Sequence, residues 1–306
     1  MFKYSLDNKR YHTLNYYYRH KFGRKTFKVP LDASFTCPNK ATGGCIFCSN
    51  NSKSNITVET NDIVKQFNET KKILEKKWPN SLYIAYFQAG SNTYAPLNEL
   101  KEKVEALLKL PNVVGISIAT RPDCINDDCL EYLKELNQKT FLTMEIGLQT
   151  SNEKTLKYIN RGHDVNCFKN CVNKLKDNNI FTVAHIINGL PYETKEDMIK
   201  TIRFLNEIKI DGIKIHALYI SKNTQLAKKY ELEKFKLLSK DEYIDIVCEQ
   251  LTYLDEKIVI ERITGDPVKE ELIAPSWLLK KFVILNDIDK KMVQNNLYQG
   301  IKKNEN

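Results

Sequence analysis

"TCPNKATGGCIFCSN", residues 36–50, places Cys37, Cys45 and Cys48 in one polar loop with Gly43 and Gly44 between them. The spacing C-x7-C-x2-C offers three thiols, whereas a structural zinc site takes four protein ligands in two paired knuckles. No second C-x2-C pair exists: Cys124, Cys129, Cys167, Cys171 and Cys248 are scattered. Zinc would therefore need a remote His or Cys to complete it. A loop this polar does not bury thiols as ordinary core residues. An iron–sulfur cube is normally held by four cysteines. Three leave one iron without a protein ligand, which is useful where a small molecule must bind metal directly, as at the open position of a catalytic zinc.

The stretch directly follows an apolar run, "FKVPLDASF" (27–35), and five similar runs come after it. They are "SLYIAYFQAG" (81–90), "VVGISIATRP" (113–122), "TFLTMEIGLQ" (140–149), "FTVAHIING" (181–189) and "GIKIHALYI" (212–220). Amphipathic helical patterns lie between them, as at 61–78, 97–110 and 195–209. Strands alternating with helices imply parallel pairing through crossovers. This βα rhythm predicts an α/β fold, either an open doubly wound sheet or a full or partial barrel. In both, the reactive surface lies at the C-terminal strand ends. The cysteine loop and "QAGSN", "TRPDC", "GLQTS", "NGLPYET" and "HALYISKNT" would all gather on that rim. After residue 222 the rhythm breaks. Helices near 224–230 and 240–256, a strand at 257–265 and a last helical region with Trp277 read as an extension beside the barrel. The expected division is an arm (1–25), a barrel (26–222) and a C-terminal extension (223–306).

Hydrophobic residues make up 42% of the 306-residue chain and charged residues 28%, which predicts a packed core. No run reaches the roughly 18–20 apolar residues of a membrane span, and the N-terminus lacks a signal-peptide pattern. A cytoplasmic, reducing setting is expected, where eight cysteines suggest thiolate ligands or small buried residues rather than disulfides. Of the net +9, residues 1–28 carry +7. Tyr11, Tyr16, Tyr17, Tyr18, Phe22 and Phe27 are interleaved with those cations. Either the cations bind phosphates while the rings stack on unpaired bases, or the rings pack on the domain. Arg19, Lys21, Arg24 and Lys25 are the candidate RNA contacts.

The cysteine stretch resembles the cluster loop of radical S-adenosylmethionine (SAM) enzymes, with the longer first gap of the branch that holds Elp3 and the YhcC/YtqA (MnmL-type) proteins. The resemblance implies a partial (βα)6 barrel and a [4Fe–4S] cluster on Cys37, Cys45 and Cys48. The open iron chelates SAM, and one electron cleaves it to a 5′-deoxyadenosyl radical. It also implies SAM contacts: Phe47 by the adenine, with Gln88, Gly90 and Asn92 in the place of a Gly-Gly-Glu-like turn. Thr120 and Arg121 lie in the "TRPD" segment. "EIGLQT" points Glu145 and Gln149 at SAM, "INRGHD" pairs Arg161 with its carboxylate, and "HIINGLPYET" brings His185 and Asn188 near the ribose. Cys124, as a hydrogen-atom donor, and His216 are the catalytic candidates, although a lone His is more often a satisfied core residue. Flavodoxin or ferredoxin is the implied electron donor, and tRNA, through its anticodon loop, the implied substrate. The branch points to the 5-substituent of wobble uridine. Two alternatives stay open: a radical SAM enzyme acting on a small molecule or peptide, and a non-enzymatic Fe–S or zinc protein that binds RNA.

Overall fold

A computed structural model describes residues 2–49 and 56–305. Each predicted strand forms: β1 (Thr26–Leu31), β2 (Leu82–Phe87), β3 (Val113–Thr120), β4 (Phe141–Gln149), β5 (Phe181–Asn188) and β6 (Gly212–Ala217). The chain then makes β7 (Ile220–Ser221), β8 (Val259–Arg262) and β9 (Leu272–Ala274). Among the described residues one parallel sheet runs in the order β1-β2-β3-β4-β5-β6-β8, and β7 pairs antiparallel with β9. The sheet curls into a partial barrel whose open side lies between β1 and β8.

The stretch expected to pack beside the barrel thus contributes a seventh parallel strand to it. The helices explain why. They are α1 (Leu14–Phe22), α2 (Ile63–Glu75), α3 (Leu97–Leu108), α4 (Asp127–Lys139), α5 (Glu153–Tyr158), α6 (Val165–Asp177), α7 (Lys195–Glu207), α8 (Gln225–Glu233), α9 (Lys240–Tyr253) and α10 (Lys281–Gln294). Helix α9 packs on α7 and serves as the crossover from β6 to β8. The interposed β7 and α8 hide that continued rhythm from a linear reading.

Strand residues alternate between two faces. On β4 the outward set is Leu142, Met144, Ile146 and Leu148, all fully buried against the helices. Each such side chain contributes about 1.5–3 kcal/mol by leaving water. The inward set, Thr143, Glu145, Gly147 and Gln149, is polar, as are Lys214 and His216 on β6. Side-chain caps start several helices: Asp62 on α2, Asn126 on α4, Asn152 on α5, and full capping boxes at Thr194 and Ser239. Each is worth about 1 kcal/mol.

The arm settles onto the barrel. Thr13 bridges to Ile260 of β8, and α1 packs on β1 and β8. Tyr11, Tyr18 and Phe27 are buried, while Tyr17 meets Phe181 and Phe22 meets Phe141 at the N-terminal strand ends. Packing, rather than stacking on bases, therefore occupies these rings. No helix among the described residues is long and apolar enough to cross a membrane.

Candidate active site

The cysteine loop is fixed from three sides. The amide oxygen of Gln66 on α2 accepts from the Asp32 N–H at 2.8 Å, just beyond β1. The Ser91 N–H, after β2, donates to Thr36 O at 3.2 Å. A 3-10 turn (Pro38–Thr42) then ends in Gly43 and Gly44, both with left-handed φ, which returns Cys45 and Cys48 toward Cys37. Asn160 Nδ2 donates to Gly44 O at 2.7 Å, Ile46 N donates to Ile159 O at 3.0 Å, and Leu226 N donates to Ile46 O at 2.8 Å.

Gly90 shows how tight the rim is. Its φ is +75°, and a Cβ there would lie 2.3 Å from Phe35 O. Gly90→Ala is expected to cost at least the ~1–3 kcal/mol of a strained backbone position. It should also lower iron retention after reconstitution by displacing the loop, which iron assay and thermal melting would check. Wild-type iron content with an unchanged melting temperature would contradict this close packing.

All three loop cysteines are unbridged. Cys48 opens onto the cavity, yet the protein around it displaces enough water to push its thiol up to about 11, with Cys45 and Cys37 adding to the shift. Among the described residues no three His, Cys, Asp or Glu side chains are grouped to hold a single metal ion. Three thiols on one loop suit a cluster in which each thiolate takes its own iron, whereas a structural zinc would need a fourth protein ligand. Cys45 Sγ also accepts from Asn39 Nδ2 at 3.4 Å and Arg161 Nη1 at 3.5 Å, donors that favour a thiolate.

Arg161 is therefore turned toward the cysteine loop. Its Nη2 donates to Gly147 O at 2.7 Å, and its buried Nε has no protein partner. A side chain at Gly147 would strike this guanidinium: a Cβ would lie 2.6 Å from Nη2.

Below the rim, Phe47, Cys48, Gln88, Gln149, His185 and His216 line one cavity of about 930 Å³. Gln149 holds a φ of +78° at the end of β4. Glu145 lies deeper and is wholly buried, with its carboxylate already engaged. Oε1 accepts from Lys28 Nζ at 2.6 Å and Ser117 Oγ at 2.8 Å. Oε2 accepts from Tyr86 OH at 2.7 Å and from Lys214, and meets His185 Nε2 at 2.7 Å. Lys28 also donates to Glu261 at 2.5 Å. Burial alone would raise the Glu145 pKa, but Lys214, Lys28 and His185 hold it well below the carboxylate range. Burial pushes the Lys214 ammonium down to about 8 against the pull of Glu145. His216 is driven well below its usual value by burial and then by Arg262, so it is neutral at pH 7.

Other expected site residues stand outside the cavity. Asn188 faces the helices, because it is an odd number of residues from the inward His185; it exchanges bonds with Gln250 at 2.7 and 2.9 Å. Thr120 is bonded to Ser91 and Thr93, and Asn92 donates to Phe87 O and Ala119 O, so both support the rim loops. Cys124 is buried in the 3-10 turn that packs on α6 and does not line the cavity. Arg121 donates to Arg161 O at 2.7 Å and pairs with Asp123. The sequence reading missed Lys28, Tyr86, Lys214, Glu261 and Arg262. For Lys28 and Lys214 the signal was a lysine inside an otherwise apolar strand, whereas Tyr86 and the adjacent pair Glu261 and Arg262 show no such alternation.

With this geometry in hand, comparison with known proteins gives consistent matches. The model described as "Radical SAM superfamily" matches residues 34–205, and the Radical_SAM C-terminal domain matches residues 210–294. YtqA of Bacillus subtilis is 46% identical over 98% of this chain and 94% of its own length. A tRNA uridine(34) acetyltransferase of Methanocaldococcus jannaschii is 27% identical over 50% of this chain and 28% of its own. The structure of archaeal Methanocaldococcus infernus Elp3 lacking its N-terminus superposes with a TM-score of 0.67 at 17% identity, which is a likeness of fold. It covers 90% of this chain and 64% of that one.

Proposed function

The chain belongs to the radical SAM superfamily, and from that premise we propose that it is a tRNA-modifying enzyme acting on the 5-substituent of wobble uridine. The reaction proposed is hydrogen-atom abstraction from the carboxymethyl CH2 of a carboxymethylaminomethyl side chain, loss of one further electron to a one-electron acceptor to give the imine, and hydrolysis by water, which releases the carboxymethyl portion as glyoxylate and leaves an aminomethyl group. The observation that carries this reading is the cavity, which starts at Cys48 and Phe47 and continues along the open side of the barrel to Lys25, Arg262 and Lys281. Its volume suits a nucleotide-sized group, and those cations suit phosphate and carboxylate. The similarity to a tRNA uridine(34) acetyltransferase supports the same substrate class.

The cofactors are a [4Fe–4S] cluster and SAM. Cys37, Cys45 and Cys48 would hold the cluster, with Phe47, Gln149 and His185 along the cavity wall for SAM. When bound, these groups supply one-electron cleavage of SAM and a carbon-centred oxidant. The chain supplies orientation and shelter. Glu145, clamped by five donors, positions His185 and Lys214 rather than contacting SAM freely. Neutral His185 and His216 avoid placing further positive charge beside Arg262 and Lys214. Flavodoxin or ferredoxin is the proposed electron donor.

The test is anaerobic reconstitution with SAM, reductant and tRNA from cells lacking the modification step. Mass spectrometry would follow 5′-deoxyadenosine and wobble nucleosides together. 5′-deoxyadenosine rising with tRNA, alongside a uridine derivative of lower mass, is the expected result. Equal 5′-deoxyadenosine without tRNA and unchanged nucleosides would overturn the tRNA substrate and leave a small molecule or peptide in its place.

A further inference from the structure

Resting on the tRNA reading, we infer that the RNA-facing surface is the patch around Trp78 and Phe282 at the open side of the barrel, where unpaired bases stack and phosphates meet lysines. Phe282, at the start of α10, is 70% exposed, and Leu279 and Val283 beside it are each 44% exposed. Trp78 follows α2 and lines the cavity. Lys77 joins the two rings, with Nζ 4.9 Å from the Trp78 centroid and 5.9 Å from that of Phe282. Lys25 Nζ lies 5.0 Å from the other reach of Trp78.

The charges here are under-compensated. Lys25 has only the amide oxygen of Asn15, at 2.8 Å, as a polar side-chain partner. Neither Lys77 nor Lys280 has a carboxylate partner among the described residues. Lys25 is also crowded by like charge: desolvation, then Arg19 and Lys77, lower its pKa. Arg24 donates to Asn80 O at 3.0 Å, two residues past Trp78. Three of the four arm cations therefore gather at this patch, and Lys21 lies instead over Phe141.

One exposed ring, Phe282, beside a half-buried Trp78 that holds Lys25 and Lys77 in place, suits single-stranded RNA, which offers a flat face and a phosphate with every nucleotide. A protein partner for an apolar face would not call for this surplus of cations. The patch is also continuous with the reaction chamber. Lys25 and Trp78 stand at the N-terminal ends of β1 and β2 and, with Lys281, line the same cavity as Cys48, so RNA held there would lie along the open side of the barrel toward the cysteine loop.

The experiment measures binding of the full-length protein to an anticodon stem-loop across a salt series, with a DNA duplex as the stacked-base comparison. Phe282→Ala should weaken stem-loop binding roughly 5- to 100-fold, the range seen when a stacking ring is lost. Lys77→Ala with Lys25→Ala should weaken binding and reduce the slope of log K against log salt by about 0.7 per lost contact. Lys169→Ala, on a distant helix, should leave both unchanged. Wild-type affinity and slope in the Phe282 and lysine variants would overturn the patch while the tRNA reading stands. No salt-dependent binding of any RNA by the wild type would overturn the substrate reading and this inference with it.

Discussion

Cys48→Ala should reduce SAM cleavage to background while the protein still folds. Cys48 lies at the mouth of the cavity, and among the described residues its thiol makes one weak hydrogen bond, to Ser49 O at 3.6 Å, so its loss removes little packing. What it removes is one of the three thiols proposed to hold the cluster. Loss of an outer-shell partner of a metal site costs about 10–100-fold in affinity or activity. Arg161→Ala belongs in that range, because it takes a donor from Cys45 Sγ and leaves the ligand. Loss of a ligand itself must exceed it. Iron content and 5′-deoxyadenosine formation, measured together, separate the two variants. A Cys48→Ala protein that cleaves SAM at the wild-type rate would remove the cluster assignment.

The second large effect concerns stability. Glu145→Ala should lower unfolding free energy by about 3–5 kcal/mol, the cost of breaking a buried ion pair from one side. Lys28 and Lys214 would then share Glu261 alone. Urea unfolding would show this as a lower midpoint with an unchanged slope. The pH dependence has a definite sign. The folded carboxyl of Glu145 sits below its unfolded value. Its contribution is therefore present above the unfolded carboxylate pKa and is lost as pH falls through the range below it. The wild type should weaken on that acid limb, and Glu145→Ala should weaken less. A loss under about 1 kcal/mol with an unaltered acid limb would mean that the cluster of charges holds nothing together.

The rim was legible in the sequence because it rests on local signals. Six apolar runs ended in polar loops, and each became a strand with its loop at the C-terminal end. The cysteine loop falls directly after the first of those strands, as its place in the sequence implies. What escaped depended on faces and on distant partners. Asn188 sat in the matching segment, but strand alternation turns it to Gln250. Arg161 lay in the expected stretch, yet its guanidinium goes to Cys45 and Gly147. Glu145 looked like a cofactor contact because its five donors come from β1, β2, β3, β5 and β6, and no linear pattern shows them converging. Nothing in the linear order pairs lysines inside strands, such as Lys28 and Lys214, with a buried carboxylate. The curled sheet makes their face an interior. The strand at β8 was expected, but its place in the barrel sheet was hidden because β7 and α8 separate it from the rhythm it completes.

The most direct test of the central claim is the spectrum of the cluster with and without SAM. The reconstituted protein, reduced under anaerobic conditions, should carry about four irons per chain and give a paramagnetic signal that shifts when SAM is added, since one iron has no protein ligand. A signal of full iron content that SAM leaves unchanged would mean that every iron is already ligated by the chain, and would contradict the account.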